Sequence, residues 1–105
     1  MLIQNTFKAN DIVTMKLVTG EEIIAKFVEG NETSYKINKP LVLSVTQHGP
    51  AMTPFLFTAE MNDNINLSKN VVIAIANTEK TTAGQYIKGT TGIQPATTTD
   101  FGKLI

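Results

Sequence analysis

Alternating apolar and polar residues between Ile12 and Val28 form the clearest pattern in the chain. Side chains at every second position are apolar on both sides of Thr19-Gly20, and polar residues stand between several of them. A period of two is typical of strands that bury one face and expose the other to water. Glycine tolerates positive φ in a tight turn. The stretch therefore predicts a β-hairpin with a core face of Val13, Met15, Leu17, Ile23, Ala25 and Phe27.

Three further strands are predicted, because a hairpin alone cannot bury its apolar face in water. The third, over residues 35–45, is expected either to bend or bulge at Lys39-Pro40 or to have that edge unpaired, since proline removes a ladder donor. The fourth is predicted over 52–60, and the fifth lies in the apolar run 71–76, after a short approach. That continuous run is typical of a strand covered on both faces. The pattern predicts a mainly β domain, either a small barrel or a sandwich.

The two ends of the chain carry weaker patterns. Residues 1–11 predict either one helical turn or an extended lead-in. A weak C-terminal helix is predicted to start at Asn77 or Thr78, either of which can cap it, and to end at Gly89. Residues 90–105 are rich in threonine and glycine, and we expect a flexible tail there. The prediction is thus one domain over 1–89, followed by the tail.

Composition narrows the class of protein. A chain of 105 residues can build one domain with a modest core. Nine basic and nine acidic residues cancel, so the net charge does not favour nucleic acid or an anionic membrane as a partner. All the basic residues are lysine, whereas arginine is the usual bidentate reader of phosphate and guanine. Without cysteine, a signal peptide pattern or a membrane-spanning run, we expect a cytoplasmic protein that does not contact membranes.

Side chains suited to catalysis are few. His48 is the only histidine and lies in a Gly-Pro turn, which favours a surface role over a metal ligand or general base. Glu21 and Glu22 point to opposite faces of a strand, which does not suit paired carboxylates in acid–base catalysis. The sequence has no nucleophile motif and no phosphate-binding glycine loop. We therefore expect that the chain is not an enzyme and that it holds no metal or cofactor.

The hairpin residues also carry a family resemblance. The alternating positions, the turn glycine and the small residue after it resemble the first motif of the Sm and Sm-like (LSm) proteins. The similarity is closest to small Sm-like proteins of T4-type tailed phages, such as those of cyanophages, and covers about residues 10–76. Ala25 departs from the glycine that most members have there. The resemblance implies a five-stranded, SH3-like barrel that forms homo-oligomeric rings, in the host cytoplasm if the protein is phage-encoded.

The family's rings form where the fourth strand of one subunit pairs with the fifth strand of the next. Both predicted strands are apolar here, and exposed strand edges are normally paired or blunted. Phe55 and Phe57 share one face of the predicted fourth strand, which favours core packing over a base-stacking platform. The predicted interface residues are Phe55, Leu56, Phe57, Val71, Val72, Ile73 and Ile75.

Family members that bind uridine-rich RNA use an Asp and an Asn between the second and third strands, and an Arg-Gly pair before the fifth. Asn31 and Ser34 lie nearest to the first pair, and Ser68 and Lys69 take the places of the second. Tyr35 beside Lys36 adds an aromatic face and a cation, as in binders of single-stranded RNA. Barrel packing of Tyr35 is the alternative. The candidate RNA-binding residues are Asn31, Ser34, Tyr35, Lys36, Ser68, Lys69 and Asn70.

Two classes of function remain open at this point. The first is a ring that binds single-stranded RNA through loop residues around a central pore. The second is a structural or adaptor ring that uses the same assembly without nucleic acid. The fold and the Tyr35-Lys36 pair favour the first class, whereas the absence of arginine and the altered motif positions favour the second.

Overall fold

A computed structural model of the chain describes residues 7–60 and 62–91, which form six strands and one α-helix. A 3-10 turn at Lys69–Val71 joins the last two strands, and helix α1 spans Lys80–Thr90. The mainly β fold with one short C-terminal helix is confirmed, but the expected count of five strands is wrong. The strands are β1 (Ile12–Leu17), β2 (Glu22–Gly30), β3 (Ser34–Thr46), β4 (Gly49–Pro54), β5 (Asn64–Ser68) and β6 (Val72–Asn77).

The strands form one open antiparallel sheet in the order β4-β3-β2-β1-β6, and β5 also pairs with β3. β3 has room for both partners because it is long. β5 lies along its residues 34–38, and β4 lies along its residues 41–46. The two strands therefore cover successive halves of the same edge of β3.

β3 bends between these halves at Lys39 and Pro40. One extra residue of β3 stands opposite β2 at this point, which is a β-bulge. Lys39 has a φ of 52°, in the left-handed region that lysine rarely adopts. The bend expected at this dipeptide is confirmed.

The strand expected over 52–60 is wrong in its second half. β4 already begins at Gly49 and ends at Pro54, and residues 55–59 form bends. The backbone N–H of Phe55 makes the last bond to β3, donating to the carbonyl of Pro40 at 3.1 Å. Beyond the bend, β5 occupies that edge, so residues after Phe55 have no strand to pair with. Phe57 is 72% exposed, so its expected place in the core is also wrong.

The short approach to the expected fifth strand is a strand of its own, β5, and the apolar run forms β6. β6 lies at the end of the sheet and pairs with β1. Ile75 packs against the core, but Ile73 stands at a bulge and is 63% exposed. Coverage of both faces of this strand, expected from its sequence, is therefore not found within the single chain.

The core has two parts on opposite faces of the sheet. The main cluster contains all the expected core residues of the hairpin, which is confirmed, and Gly20 turns the hairpin with a φ of 105°. A smaller outer cluster joins β2 and β3 to the helix. The main cluster is Val13, Met15, Leu17, Ile23, Ala25, Phe27, Ile37 and Leu67; the outer cluster is Ile24, Leu41 and Tyr86.

Helix α1 begins one or two residues later than expected. Its N-cap is Glu79, whose carboxylate accepts hydrogen bonds from the backbone N–H groups of Thr81 and Thr82, both at 3.1 Å. The hydroxyl of Thr82 also donates to this carboxylate, at 2.7 Å. These bonds, first that of the Thr82 hydroxyl, lower the pKa of Glu79 below its ordinary value of 4.5. No helix in the described ranges is long and apolar enough to span a membrane.

Some expectations about the chain ends lie outside the described residues, namely those for 1–6 and for the tail from 92 to 105. Of the first segment, residues 7–11 contain a turn and no helix. Phe7 packs against the main cluster, and the backbone N–H of Asn10 donates to the carbonyl of Phe27 at 2.8 Å. This part of the chain therefore forms a turn that returns to β2.

Replacing Leu17 or Phe27 by Asp should abolish folding. Both side chains are buried in the main cluster. The change leaves an unpaired buried charge, which costs about 3 to 5 kcal/mol, and also removes core packing, which costs about 2 to 5 kcal/mol more, against a total stability of about 5 to 15 kcal/mol. His48→Ala is the control, because His48 is exposed in the turn between β3 and β4. Thermal melts followed by circular dichroism compare the three variants. A His48→Ala protein that melts lowest would contradict the core assignment.

Acid should weaken α1 through its N-cap. Because folding lowers the pKa of Glu79, its stabilising effect is complete above pH 4.5 and is lost as the pH falls through the lowered value. Glu79→Gln does not titrate, so its melting temperature should change less between pH 6 and pH 3 than that of the unmutated chain. Glu32→Gln, an exposed loop change, is the matched control. An equal acid response in Glu79→Gln and the unmutated chain would rule out this role of the cap.

Candidate functional site

The two segments that carry the candidate binding residues lie side by side. The pairing of β3 with β5 places Ser34 opposite Ser68 and Tyr35 opposite Leu67. The backbone N–H of Lys69 donates to the carbonyl of Thr33 at 2.8 Å, which extends the contact by one residue. Residues 31–36 and 67–70 therefore form one surface, which we call the β3–β5 surface.

Tyr35 and Lys69 form a cation–π pair on this surface. The Lys69 ammonium nitrogen lies 4.9 Å from the centroid of the Tyr35 ring. Contacts of this kind contribute about 0.5 to 1 kcal/mol at exposed sites. The 3-10 turn positions Lys69, and its N-cap Ser68 accepts a hydrogen bond from the backbone N–H of Asn70 at 3.1 Å. An aromatic face and a cation are thus held together by the local fold.

Lys36 does not join this pair. Neighbouring residues of a strand project to opposite faces, so Lys36 points away from the side on which Tyr35 packs. Its ammonium lies 3.4 Å from the carboxylate of Glu29, the residue opposite it on β2. The structure therefore separates the side chains of Tyr35 and Lys36, and Lys69 supplies the cation next to the tyrosine.

Asn31 and Ser34 build the turn between β2 and β3. The Asn31 Oδ1 accepts hydrogen bonds from the backbone N–H groups of Thr33 at 2.8 Å and Ser34 at 2.9 Å. This is the self-bonding that makes asparagine common in turns. Because β2 continues to Gly30 and β3 begins at Ser34, the loop between them is limited to residues 31–33. The Asn31 oxygen is already engaged by its own turn.

A cleft of about 680 Å³ opens beside Tyr35 and Lys69. Three aromatic rings stand in a row along it, with centroid distances of 5.8 Å from Phe7 to Phe27 and 6.1 Å from Phe27 to Tyr35. The Tyr35 ring lies against Gly30, where an added Cβ would approach its Cδ1 to 3.3 Å. The lining residues are Phe7, Ala9, Phe27, Val28, Glu29, Gly30, Tyr35, Lys69 and Ile75.

Phe7 and Phe27 were not among the candidate site residues. The alternation of β2 correctly places Phe27 in the core, and no local signal shows that its ring also lines a cleft. Phe7 reaches the site only because the lead-in bonds back to β2 through Asn10. Long-range contacts of this kind leave no periodic pattern in a single sequence.

The chemistry of the cleft is that of a binding surface. It combines apolar and aromatic walls with one ammonium group, from Lys69, whereas the Glu29 carboxylate pairs with Lys36. Such a cleft can stack a planar ring and neutralise one negative charge. Across residues 7–60 and 62–91, no group of three or more His, Cys, Asp or Glu side chains is placed to hold a metal ion.

The predicted interface residues lie in two environments. Leu56, Phe57 and Ile73 are exposed. The others are half-buried and pack against the main cluster: Phe55, Val71, Val72 and Ile75. The exposed ones are the apolar side chains that a second chain can cover.

The free edge of β4 is short of hydrogen-bond donors. In an antiparallel pair, every second residue directs its backbone hydrogen-bonding groups at the partner strand. Phe55 directs its N–H at β3, so the backbone groups of Pro50, Met52 and Pro54 point away from β3. Proline has no N–H, so Met52 carries the one outward donor of β4. Proline at such positions is the usual way to blunt an edge strand.

The free edges of β5 and β6 keep their donors. The N–H of Lys69 donates to Thr33, the residue before β3, and backbone direction alternates along a strand. The backbone groups of Asn64, Asn66 and Ser68 therefore point away from β3. The N–H of Thr78 donates to the carbonyl of Ile12 at 2.9 Å, so the backbone of Ile75 and Asn77 points away from β1. Neither strand contains proline. Both edges are therefore able to pair with another strand.

No protein-family model matches this chain, and a comparison with curated proteins found no match. Its function is therefore inferred from the geometry described above and from the motif residues of the hairpin.

Proposed function

We propose that this chain forms a closed homo-oligomeric ring of the Sm-like type and that the ring binds single-stranded RNA at a repeated Tyr35–Lys69 site. One observation carries the proposal. The pairing of β3 with β5 brings an aromatic ring and an ammonium group to 4.9 Å from each other at a cleft of about 680 Å³. The two segments involved are those that the family resemblance selects for RNA contact.

The strand order supports an Sm-like architecture. β4 and β5 follow successive halves of one β3 edge, so together they correspond to a single fourth strand, interrupted by the loop after Pro54. β6 then takes the place of the fifth strand and pairs with β1. On this interpretation the six observed strands fit a five-stranded plan.

The strand edges support ring assembly. β5 and β6 expose rows of backbone donors and acceptors, whereas Pro50 and Pro54 blunt β4. β5 of one subunit therefore pairs with β6 of the next. Repeated head to tail, this contact closes a ring, of about five to seven subunits if family behaviour holds, and leaves only the proline-blunted edge of β4 unpaired.

RNA binding at such a ring should be modest and repeated. A base stacks on Tyr35, which contributes about 1 to 3 kcal/mol per base, and Lys69 neutralises a phosphate. Lysine cannot read a base edge in the bidentate manner of arginine, so selectivity for sequence is low. Lys36 is the weaker phosphate contact, because it already pairs with Glu29. Several identical sites around a ring increase avidity without strong single contacts.

A structural or adaptor ring without nucleic acid is the second candidate. The Asn31 and Ser68 oxygens are engaged by their own turns, which leaves fewer groups to read a base. Lys69 is the one cationic residue among those that line the cleft, so a phosphate meets a single positive charge there. These observations favour an assembly whose ligand, if it has one, is not RNA.

Proline at position 66 should break the ring and leave the fold intact. The N–H of Asn66 points away from β3, so Asn66→Pro removes an outward donor of β5 without removing a bond to β3. Light scattering on a size-exclusion column should give a multiple of 11.4 kDa for the unmutated chain and a lower mass for Asn66→Pro.

Met52→Pro is the matched control for that experiment. It removes the last outward donor of β4, which takes no part in the proposed pairing, so the mass should not change. A monomeric unmutated chain at micromolar concentration would contradict the ring, and dissociation by Met52→Pro alone would assign the interface to β4.

Replacing Tyr35 and Lys69 together by alanine should weaken RNA binding about tenfold or more, because one stack and one phosphate contact are lost. Labelled oligouridine and oligoadenosine, titrated at two salt concentrations, measure this, and the unmutated ring should bind more weakly at the higher salt. Lys16→Ala, an exposed change on β1, is the control for charge.

The outcomes of the RNA experiment separate the two candidates. Unchanged affinity in a double variant that still forms the ring would exclude this site. No binding by the unmutated ring at low salt would favour the structural ring.

A further inference from the structure

Lys39 holds a backbone conformation that its side chain disfavours. Its φ is 52°, and among the described residues only Asn10 is another non-glycine residue with positive φ. Asparagine adopts this region comparatively easily, whereas lysine does so only when its surroundings require it. Residues of this kind persist where neighbouring contacts determine their conformation. Contacts with other parts of the chain must therefore hold Lys39 in this conformation.

Helix α1 holds Lys39 at both ends. The Tyr86 hydroxyl donates to the carbonyl of Lys39 at 2.6 Å and lies 3.3 Å from the carbonyl of Asn38. The ammonium group of Lys39 donates to the carbonyl of Thr90 at 3.1 Å, at the last residue of α1. A cation at a helix C-terminus also interacts favourably with the helix dipole. Backbone and side chain of Lys39 are thus both bonded to the helix.

The helix in turn depends on this contact. α1 has eleven residues, including Gly84, Gly89 and three threonines, and helices this short are marginal in isolation even for better sequences. Tyr86 is its one buried residue, packed on Ile24 and Leu41 in the outer cluster. Burial raises the pKa of Tyr86 well above its ordinary value, so the hydroxyl keeps its proton as a donor. Helix and bend therefore stabilise each other.

Asn38 connects the bend to β5. Its side-chain amide donates to the carbonyl of Asn62 and to the Oδ1 of Asn64, both at 3.0 Å. Asn64 is the first residue of β5 and stands opposite Asn38 in the sheet. The residue next to Lys39 thus fixes where β5 begins, and β5 ends at the turn that positions Lys69.

We propose that α1 is a latch on the bend of β3. Docked through Tyr86, it keeps Lys39 in the left-handed region and, through Asn38, keeps β5 against β3. When α1 leaves the sheet, Lys39 relaxes, the bend opens and β5 loosens, together with Lys69 beside Tyr35. The latch thus links the outer face of the sheet to the β3–β5 surface. It does not depend on RNA binding or on ring formation.

Amide hydrogen exchange tests the latch. The amides of Ile65 and Leu67 face β3. The amide of Phe27 bonds to Asp11 on the edge of β2 that faces away from β3, and it serves as the reference. Tyr86→Phe removes the hydroxyl and keeps the ring. It should accelerate exchange at Ile65 and Leu67 about tenfold, as expected for one lost hydrogen bond, and leave Phe27 unchanged.

Glycine at position 39 should slow the exchange again. Gly adopts positive φ without steric cost, so Lys39→Gly keeps the bend even when the Tyr86 hydroxyl is absent. The double variant should therefore exchange at Ile65 and Leu67 more slowly than Tyr86→Phe alone, even though it also lacks the ammonium bond to Thr90. Ile87→Ala, an exposed change next to Tyr86, is the control and should leave these amides unaffected.

Equal acceleration at Phe27 and at the β5 amides would overturn the latch, because Tyr86 would then act only as a core residue. Failure of Lys39→Gly to slow exchange would also overturn it. If Tyr86→Phe does not fold, Asn38→Ala tests the connection alone. It should accelerate Ile65 and Leu67 and leave the helix amide of Ala83 unchanged; unaltered exchange in β5 would reject the proposal.

Discussion

A strand that bends sharply cannot keep one straight partner along its whole edge. β3 turns at Lys39 and Pro40, and its edge is divided between β4 on one side of the bend and β5 on the other. The chain needs a loop to pass from one partner to the next, and residues 55–59 form part of it. The direction of β5 then places the 3-10 turn, and with it Lys69, beside Tyr35. The position of Lys69 beside Tyr35 thus depends on the left-handed conformation of Lys39, which lies at the opposite end of the segment where β3 pairs with β5.

The parts of this fold that could be predicted are those whose causes are local. The hairpin alternates regularly around Gly20, so its core face was predictable residue by residue. The bend was predictable because Pro40 cannot donate to a ladder. The alternation at Phe55 and Phe57 is just as regular, yet no strand forms there, because the only β3 edge within reach is already taken. A pattern shows that a segment can be a strand, but a partner decides whether it is one.

The candidate site likewise has features that the local sequence predicts and features that depend on long-range pairing. Tyr35 and Lys36 are neighbours in sequence, but the alternation of β3 separates their side chains, and this much could have been inferred from the strand pattern alone. The contact of Tyr35 with Lys69 could not, since it depends on the register between β3 and β5. The same is true of Phe7, which lines the cleft through the return of the lead-in to β2. Long-range register is set by the whole sheet and has no short sequence signature.

The distribution of proline makes the free edges of the sheet differ in the number of backbone N–H donors that they expose. In β4, Pro50 and Pro54 lie at positions that face away from β3. The N–H that proline lacks is therefore missing from the free edge, and no hydrogen bond to β3 is lost. In β5 and β6 the outward donors are kept, and the exposed Ile73 lies next to one of these rows. Every unpaired edge carries a risk of unwanted association, and the proposed ring would remove that risk at β5 and β6. Blunting one edge and leaving two complementary edges open is what a chain needs if it must pair with copies of itself in a single way.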